Sequence, residues 1–222
     1  MVKRPSKLER RRAILAAARK VFTQRGYAAT RMADVAAAAG AGKGTLYEHF
    51  RSKEDLFSTL VLTVLRESLE ALAAGAGLSA DPERALREVI RECVRMALID
   101  NLDLYRLFFD FWGGSEGHRM ETRTALREAA AGFRAMVGGV LRQGQTAGVF
   151  RAEIDPEAFG YAFIASIDGM SLQLVILGEQ VDLEAYTTYL QDFWLAAARA
   201  AEPLEGASIL KEPTGRSEGG AS

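Results

Sequence analysis

Lys43, Thr45, Tyr47 and His49 crowd among and behind the glycines of "GAGKGTLYEHF", residues 40–50. An ammonium, a hydroxyl, a phenol and an imidazole share one ability: each hydrogen-bonds to phosphate oxygens. Gly42 and Gly44 leave no side chain where a backbone would have to come nearest to a nucleic acid, and the amides that open a helix there form an anion site. The chemistry on offer is binding of a polyanion. No Ser/His/Asp, Cys/His or paired-carboxylate arrangement is suggested for catalysis. The two histidines are His49 and His118, and the lone cysteine, Cys93, has neither an intrachain disulfide partner nor zinc-ligand spacing. We expect no enzyme activity, no metal and no cofactor. A glycine-rich helical hairpin with an aromatic surface fits the same residue types, so both readings stand at this point.

The elements that must position these groups are helical throughout. Apolar residues recur with the helical period and no sustained alternation of strand type is present, so the fold class is all-α with about nine helices. Ser6 starts a first helix to about Arg25, with Leu8, Leu15, Ala18 and Phe22 on one stripe and Gly26 just past its end. Thr30 can cap a short second helix whose Met32, Val35, Ala36 and Ala39 point inward, and Gly40 ends it. A third short helix, about 43–50, buries Leu46 and Phe50. Ser52 with Asp55 then opens a fourth, to about Ala73. The breaker-rich 75–82 is a loop. Further helices are expected near 82–100, 102–112, 116–147, 156–177 and 183–201, two of them opened by Asp-Pro pairs at 81–82 and 155–156. Residues 203–222 read as a disordered tail.

Two short helices joined by a tight glycine turn fit the helix-turn-helix, whose second helix lies in the DNA major groove. The run "TRMADVAAAAGAGKGTLYEHFRSKEDLF", residues 30–57, resembles the DNA-binding signature of TetR-type transcriptional regulators, with its Gly, "KGTLY", aromatic-x-Phe and "SKE" elements in order. The resemblance covers roughly residues 8–60. It implies a homodimer whose two N-terminal heads bind a palindromic double-stranded DNA operator, usually as a repressor released by a small ligand. Carried over by position, Thr30, Thr45, Tyr47, His49 and Lys53 would hold phosphates, and Lys43 and Gly44 would lie closest to the bases. Ala41-Gly42 stands where relatives commonly have Val-Ser, so the hydroxyl cap of the recognition helix is missing, at a cost of a few tenths to about 1 kcal/mol. Ala33 replaces a polar side chain that some relatives use on bases. The same signature would serve an activator.

Beyond the head, residues 56–202 are expected to sense a ligand and dimerise, with the DNA-binding domain at 1–55. Tyr105, Phe108, Phe109 and Trp112 form an aromatic stripe, with Phe111 projecting elsewhere. Such a stripe describes a cavity wall and equally a plain core. Cys93, Met96, Phe133, Met136 and Phe163 are candidate further wall positions for a largely apolar effector, with Arg106 and Asp168 as polar candidates. Asp168 also suits a paired carboxylate at a helix interface. The last two helices carry Phe159, Ile167, Met170, Leu174, Tyr186, Leu190, Phe193 and Trp194, more apolar surface than one core absorbs. The family resemblance makes them the dimer interface.

Composition agrees with this division. At 222 residues, 49% apolar and 26% charged, the chain is globular. Its net charge of −1 conceals 13 Lys/Arg against five acids in residues 1–55 and 15 against 24 in the rest, a basic head on an acidic body. Lys3, Arg4, Lys7 and Arg10, Arg11 and Arg12 form an arm that either reaches the adjacent DNA backbone or is simply solvated. No apolar signal core follows it and Asp168 splits the longest apolar run, so no membrane segment is expected and the location should be cytoplasmic. A nonspecific DNA binder or a dimeric scaffold shares these bulk properties.

Overall fold

The computed structural model describes residues 6–75, 79–112, 119–178 and 180–199, with only the backbone at 110, 112 and 119–122. Lys3, Arg4, His118 and the expected tail at 203–222 lie outside the described residues. The described chain is all-α: α1 Lys7–Ala29, α2 Met32–Ala38, α3 Lys43–His49, α4 Lys53–Gly75, α5 Pro82–Val94, α6 Leu102–Trp112, α7 Arg119–Thr146, α8 Pro156–Leu172 and α9 Leu183–Arg199. Two π-helical turns, Arg95–Asp100 and Gln173–Leu177, extend α5 and α8.

The helix ends follow local chemistry. Ser6 and Glu9 form a reciprocal capping box at the start of α1, Glu9 N donating to Ser6 Oγ at 3.2 Å. Gly26 breaks α1 with φ 76° and ψ 164°, a conformation open essentially to glycine alone. Ser52 Oγ accepts from Asp55 N at 3.1 Å to open α4. Asp81 and Asp155 cap α5 and α8, each followed by proline in the first turn. Leu8, expected on the buried stripe of α1, is 59% exposed, because α1 projects past the core before its first full contact at Ile14.

Two hydrophobic clusters form. The head cluster gathers Ile14, Ala18 and Phe22 of α1, Val35 of α2, Leu46 and Phe50, and Leu56 and Phe57 of α4. It is completed from far along the chain by Leu104, Leu107 and Phe111 of α6. Phe111, the residue projecting off the aromatic stripe, packs 4.9 Å from Phe57 and 5.0 Å from Tyr27, centroid to centroid. The body cluster joins α5, α7, α8 and α9 with Leu72 of α4. There α7 and α8 meet almost backbone to backbone: a Cβ on Gly160 would come within 2.8 Å of the Arg134 carbonyl oxygen, and one on Gly138 within 2.7 Å of that of Pro156. By length and composition alone Pro156–Leu177 could cross a membrane, with mean hydropathy 1.5. Its close seat on α7 and the carboxylate of Asp168 at its middle instead make it a helix of the body.

Head and body are also tied by polar contacts. Arg19 of α1 donates to both oxygens of Asp103 at the start of α6, at 3.2 and 2.8 Å, and to the Asp100 carbonyl at 2.7 Å. Thr23 adds a bond to Asp103 at 3.0 Å. Burial opposes the Asp103 carboxylate, but the hydrogen bonds from Arg19 and Thr23 outweigh it and hold its pKa below the ordinary value. A depressed carboxylate contributes stability that is present above its unfolded pKa and lost as the pH falls through the folded one. Asp103→Asn should therefore cost about 1 kcal/mol at pH 7 and progressively less below about pH 4, as followed by urea unfolding. An equal loss at pH 7 and at about pH 3 would contradict the assignment.

Candidate nucleic-acid interface and internal cavity

The turn between α2 and α3 is a Schellman motif. Ala41 N donates to Ala36 O at 2.9 Å and Gly40 N to Ala37 O at 3.1 Å, with Gly40 at φ 60°. This turn sets α3 across α2. Along α3, Leu46 and then Phe50 are buried, while Lys43, Gly44, Tyr47 and Glu48 face solvent and Thr45 and His49 are half-buried. Gly42 is the N-cap and supplies no side-chain hydrogen bond. A Cβ at Gly44 would meet nothing within 4 Å, so the absence of a side chain there answers no need of the protein's own packing.

The supports of α3 come from elsewhere in the head. Arg11 donates to the His49 carbonyl at 3.2 Å and lies 4.6 Å from the Phe50 ring centroid, clamping the end of the helix. Arg11 is thus a brace within α1, while its neighbours Lys7 and Arg12 remain exposed. Lys53 is only partly free: its Nζ donates to Tyr27 O at 3.0 Å and Ala28 O at 3.1 Å and sits 4.5 Å from the Tyr27 ring centroid. It caps the end of α1 with two of its three donors. Thr30 departs from its expected role, since its hydroxyl is buried and donates to Gly26 O at 2.7 Å. That bond stabilises the Gly26 break and leaves the side chain out of reach of a phosphate. Glu48, which residue-type reasoning toward phosphate passes over, projects beside Tyr47; its carboxylate suits a base donor and repels phosphate.

Below the head, α4 through α8 enclose a cavity of about 270 Å³. Met96 and Ala97 enter it from the π-helical turn, with Cys93 one turn before. Tyr105 and Phe108 line it from α6, Phe133 from α7 and Asp168 from α8. The far wall, Val61, Val64, Leu65 and Ser68, is α4, which no stripe of aromatic residues marks in the sequence. Tyr105 Oη donates to Asp168 Oδ1 at 3.2 Å. Asp168 is exposed on its outer side, yet the apolar wall on its inner side raises its pKa by desolvation, against the lowering effect of the Tyr105 hydrogen bond. Burial likewise pushes the Cys93 thiol up to about 12, which keeps it protonated.

Other candidates fall elsewhere. Phe163 is fully buried against Trp194, and Met136 packs on the same body core. Arg106 is exposed, Phe109 is half-buried but off the cavity, and the Trp112 side chain lies outside the described residues. On the expected dimer face, Phe159, Leu190 and Trp194 are consumed by the protomer's own core and Ile167 lines the cavity. Met170, Leu174 and Tyr186 are half-buried against that core. Of the expected face, Phe193 stays open, and the exposed apolar surface around it is otherwise a set not expected: Leu172, Ile176 and Leu177 on α8 and its extension, and Tyr189 on α9. With Phe193, these are from 44 to 66% exposed. Helical periodicity finds such a face but cannot tell which side of a two-sided apolar helix turns inward.

Comparison with known proteins agrees with this arrangement. A family model described as "Bacterial regulatory proteins, tetR family" matches residues 14–60, and one described as "BetI-type transcriptional repressor, C-terminal" matches residues 82–199. The regulator TtgR of Pseudomonas putida is 28% identical over 182 residues, covering 79% of this chain and 84% of that protein. The repressor KstR2 of Rhodococcus jostii is 31% identical over 154 residues, 67% of this chain and 71% of that one. In structure, the FadR regulator of Bacillus subtilis, solved with stearoyl-CoA, superposes with a TM-score of 0.71 at 21% identity over 83% of this chain and 97% of its own; that likeness speaks to the fold alone. With a helix-turn-helix head and a helical body each matched over its length, the chain belongs to the TetR family of bacterial transcriptional regulators.

Proposed function

We propose that two copies of this chain hold a palindromic operator through α3 and act as a repressor, released when a small, largely apolar effector fills the cavity. The observation that supports it most is α3 itself. Leu46 and Phe50 lock one flank to the head, and the opposite flank offers Lys43, Gly44 and Tyr47 with no packing demand upon them. In this reading Lys43 and Gly44 lie nearest the bases, and Thr45, Tyr47, His49 and the remaining donor of Lys53 hold phosphates. Dimerisation uses the open apolar surface of α8 and α9, so that a two-fold protein matches a two-fold operator. TtgR and KstR2 support the regulatory class and leave the effector to be found.

Release is a change of head spacing. Leu104, Leu107 and Phe111 of α6 sit in the head core while Tyr105 and Phe108 line the cavity, so an occupant that displaces α6 moves the head with it. A ligand that favours the displaced form lowers operator affinity by its preference between the two forms.

Gly44→Ala separates DNA contact from folding. Because the new methyl meets open space, the variant should be about 0.5–1 kcal/mol more stable yet bind the operator at least about tenfold more weakly. Unchanged affinity in a fluorescence-anisotropy titration would take α3 off the DNA. Tyr47→Phe should weaken operator and random DNA alike by about 1 kcal/mol, and a loss confined to the operator would contradict a phosphate role. For the dimer, Phe193→Asp should leave the helical content intact, weaken self-association by about 2 kcal/mol or more and lower operator affinity in step. Sedimentation showing an unchanged dimer would remove this face from the interface.

A further inference from the structure

On the reading that the cavity is the effector site, its walls define the chemistry of what fills it. Among the described residues the lining is apolar except at Ser68, Cys93, Asn101, Tyr105 and Asp168, and Asp168 alone is charged. No Lys, Arg or His is among these lining residues. The Asn101 amide is engaged by the Met96 carbonyl at 2.8 Å, and the Tyr105 hydroxyl by Asp168 Oδ1 at 3.2 Å. Asp168 Oδ2 is left without a hydrogen-bond partner among the described residues. Asp168 is exposed on its outer side, but on its inner side it is the one charged group against an apolar wall, and a cation that enters the cavity is attracted to it. The aromatic side chains of Tyr105, Phe108 and Phe133 line the same space, and aromatic faces attract positive charge as well.

We infer that the cavity takes a compact hydrophobic amine in its protonated form, the apolar body lying among the α4, α6 and α7 side chains and the ammonium N–H donating to Asp168 Oδ2. A carboxylate or phosphate ligand meets a like charge there and no basic group to offset it. A fatty acyl-CoA, with its phosphates, is therefore disfavoured at this end of the cavity. Tyr105 acts as a positioning residue: by occupying Oδ1 it aims the remaining lone pairs of Oδ2 at the ligand.

The test uses the full-length protein and three probes with one body and different ends: 4-phenylbutylamine, 4-phenylbutanol and 4-phenylbutyrate. Binding is measured by calorimetry at neutral pH and, at about pH 9, by protection of Cys93, the single cysteine of the chain, from the slow iodoacetamide reaction that follows opening of the cavity. The amine should bind about tenfold or more tighter than the alcohol, with the butyrate weakest, and should slow alkylation. Asp168→Asn keeps an oxygen to accept from Tyr105, so it should reduce the amine to the affinity of the alcohol and leave the alcohol unchanged. The inference is overturned if the alcohol or butyrate binds the parent protein as tightly as the amine, if none of the three binds, or if the preference survives Asp168→Asn. Binding in the expected order with operator DNA still held upholds the ligand class and overturns the effector reading instead.

Discussion

Helix α6 is packed into two interiors at once. Leu104, Leu107 and Phe111 close the core of the head, with Phe111 set against Phe57 and Tyr27, while Tyr105 and Phe108, on the next face round, line the cavity. Arg19 and Thr23 pin its first turn to α1 through Asp103. Interiors at crystal-like density do not deform smoothly, so a helix shared between two of them passes a displacement from one to the other. The regulation we propose depends on that sharing. Without it the head would be a DNA-binding module merely tethered to a cavity.

The head meets the demands of recognition by dividing α3 between two tasks. Its buried residues and the Arg11 clamp fix its position, and the Schellman turn at Gly40 fixes its angle to α2. Its outer flank gives up helix stability, since Gly44 is a poorer helix residue than alanine and Gly42 at the N-cap offers no side-chain hydrogen bond. On our proposal, a glycine that packing does not require, at a place where it weakens a helix, leaves room for close approach of DNA. The charge distribution works in the same direction, because a head rich in Lys and Arg on an acidic body turns the correct end toward DNA before any contact forms.

Much of this was legible in the residues because it is local. The capping serines and aspartates, the glycine breaks and the apolar periodicity mark the helices closely, and the spacing around Lys43 marks the recognition helix. What resisted was tertiary. Thr30 looks like a free hydroxyl until the fold bends the Gly26 carbonyl back onto it. Lys53 looks like a free ammonium until α4 brings it under the end of α1. Phe163 and Phe108 are the same residue type on amphipathic helices, yet one fills a core and the other lines a void. Which it is depends on how far apart the helices stand, set here by Gly138 and Gly160 drawing α7 onto α8. The α4 wall carries no distinctive pattern at all, since Val and Leu at helical spacing serve a cavity and a core equally.

Cys93 allows the sharing of α6 to be tested with no ligand present, because this single thiol lines the cavity and belongs to the core of the body, not of the head. Its slow alkylation by iodoacetamide at about pH 9, which requires the cavity to open far enough to hydrate and ionise the thiol, can be timed in the free dimer, with operator DNA and with random DNA. If α6 ties the two interiors together, operator binding at the head slows the reaction at Cys93, random DNA at matched occupancy does so less, and Arg19→Ala shrinks the difference. An alkylation rate indifferent to saturating operator would mean that the cavity does not sense the head, and the account of regulation through α6 would be wrong.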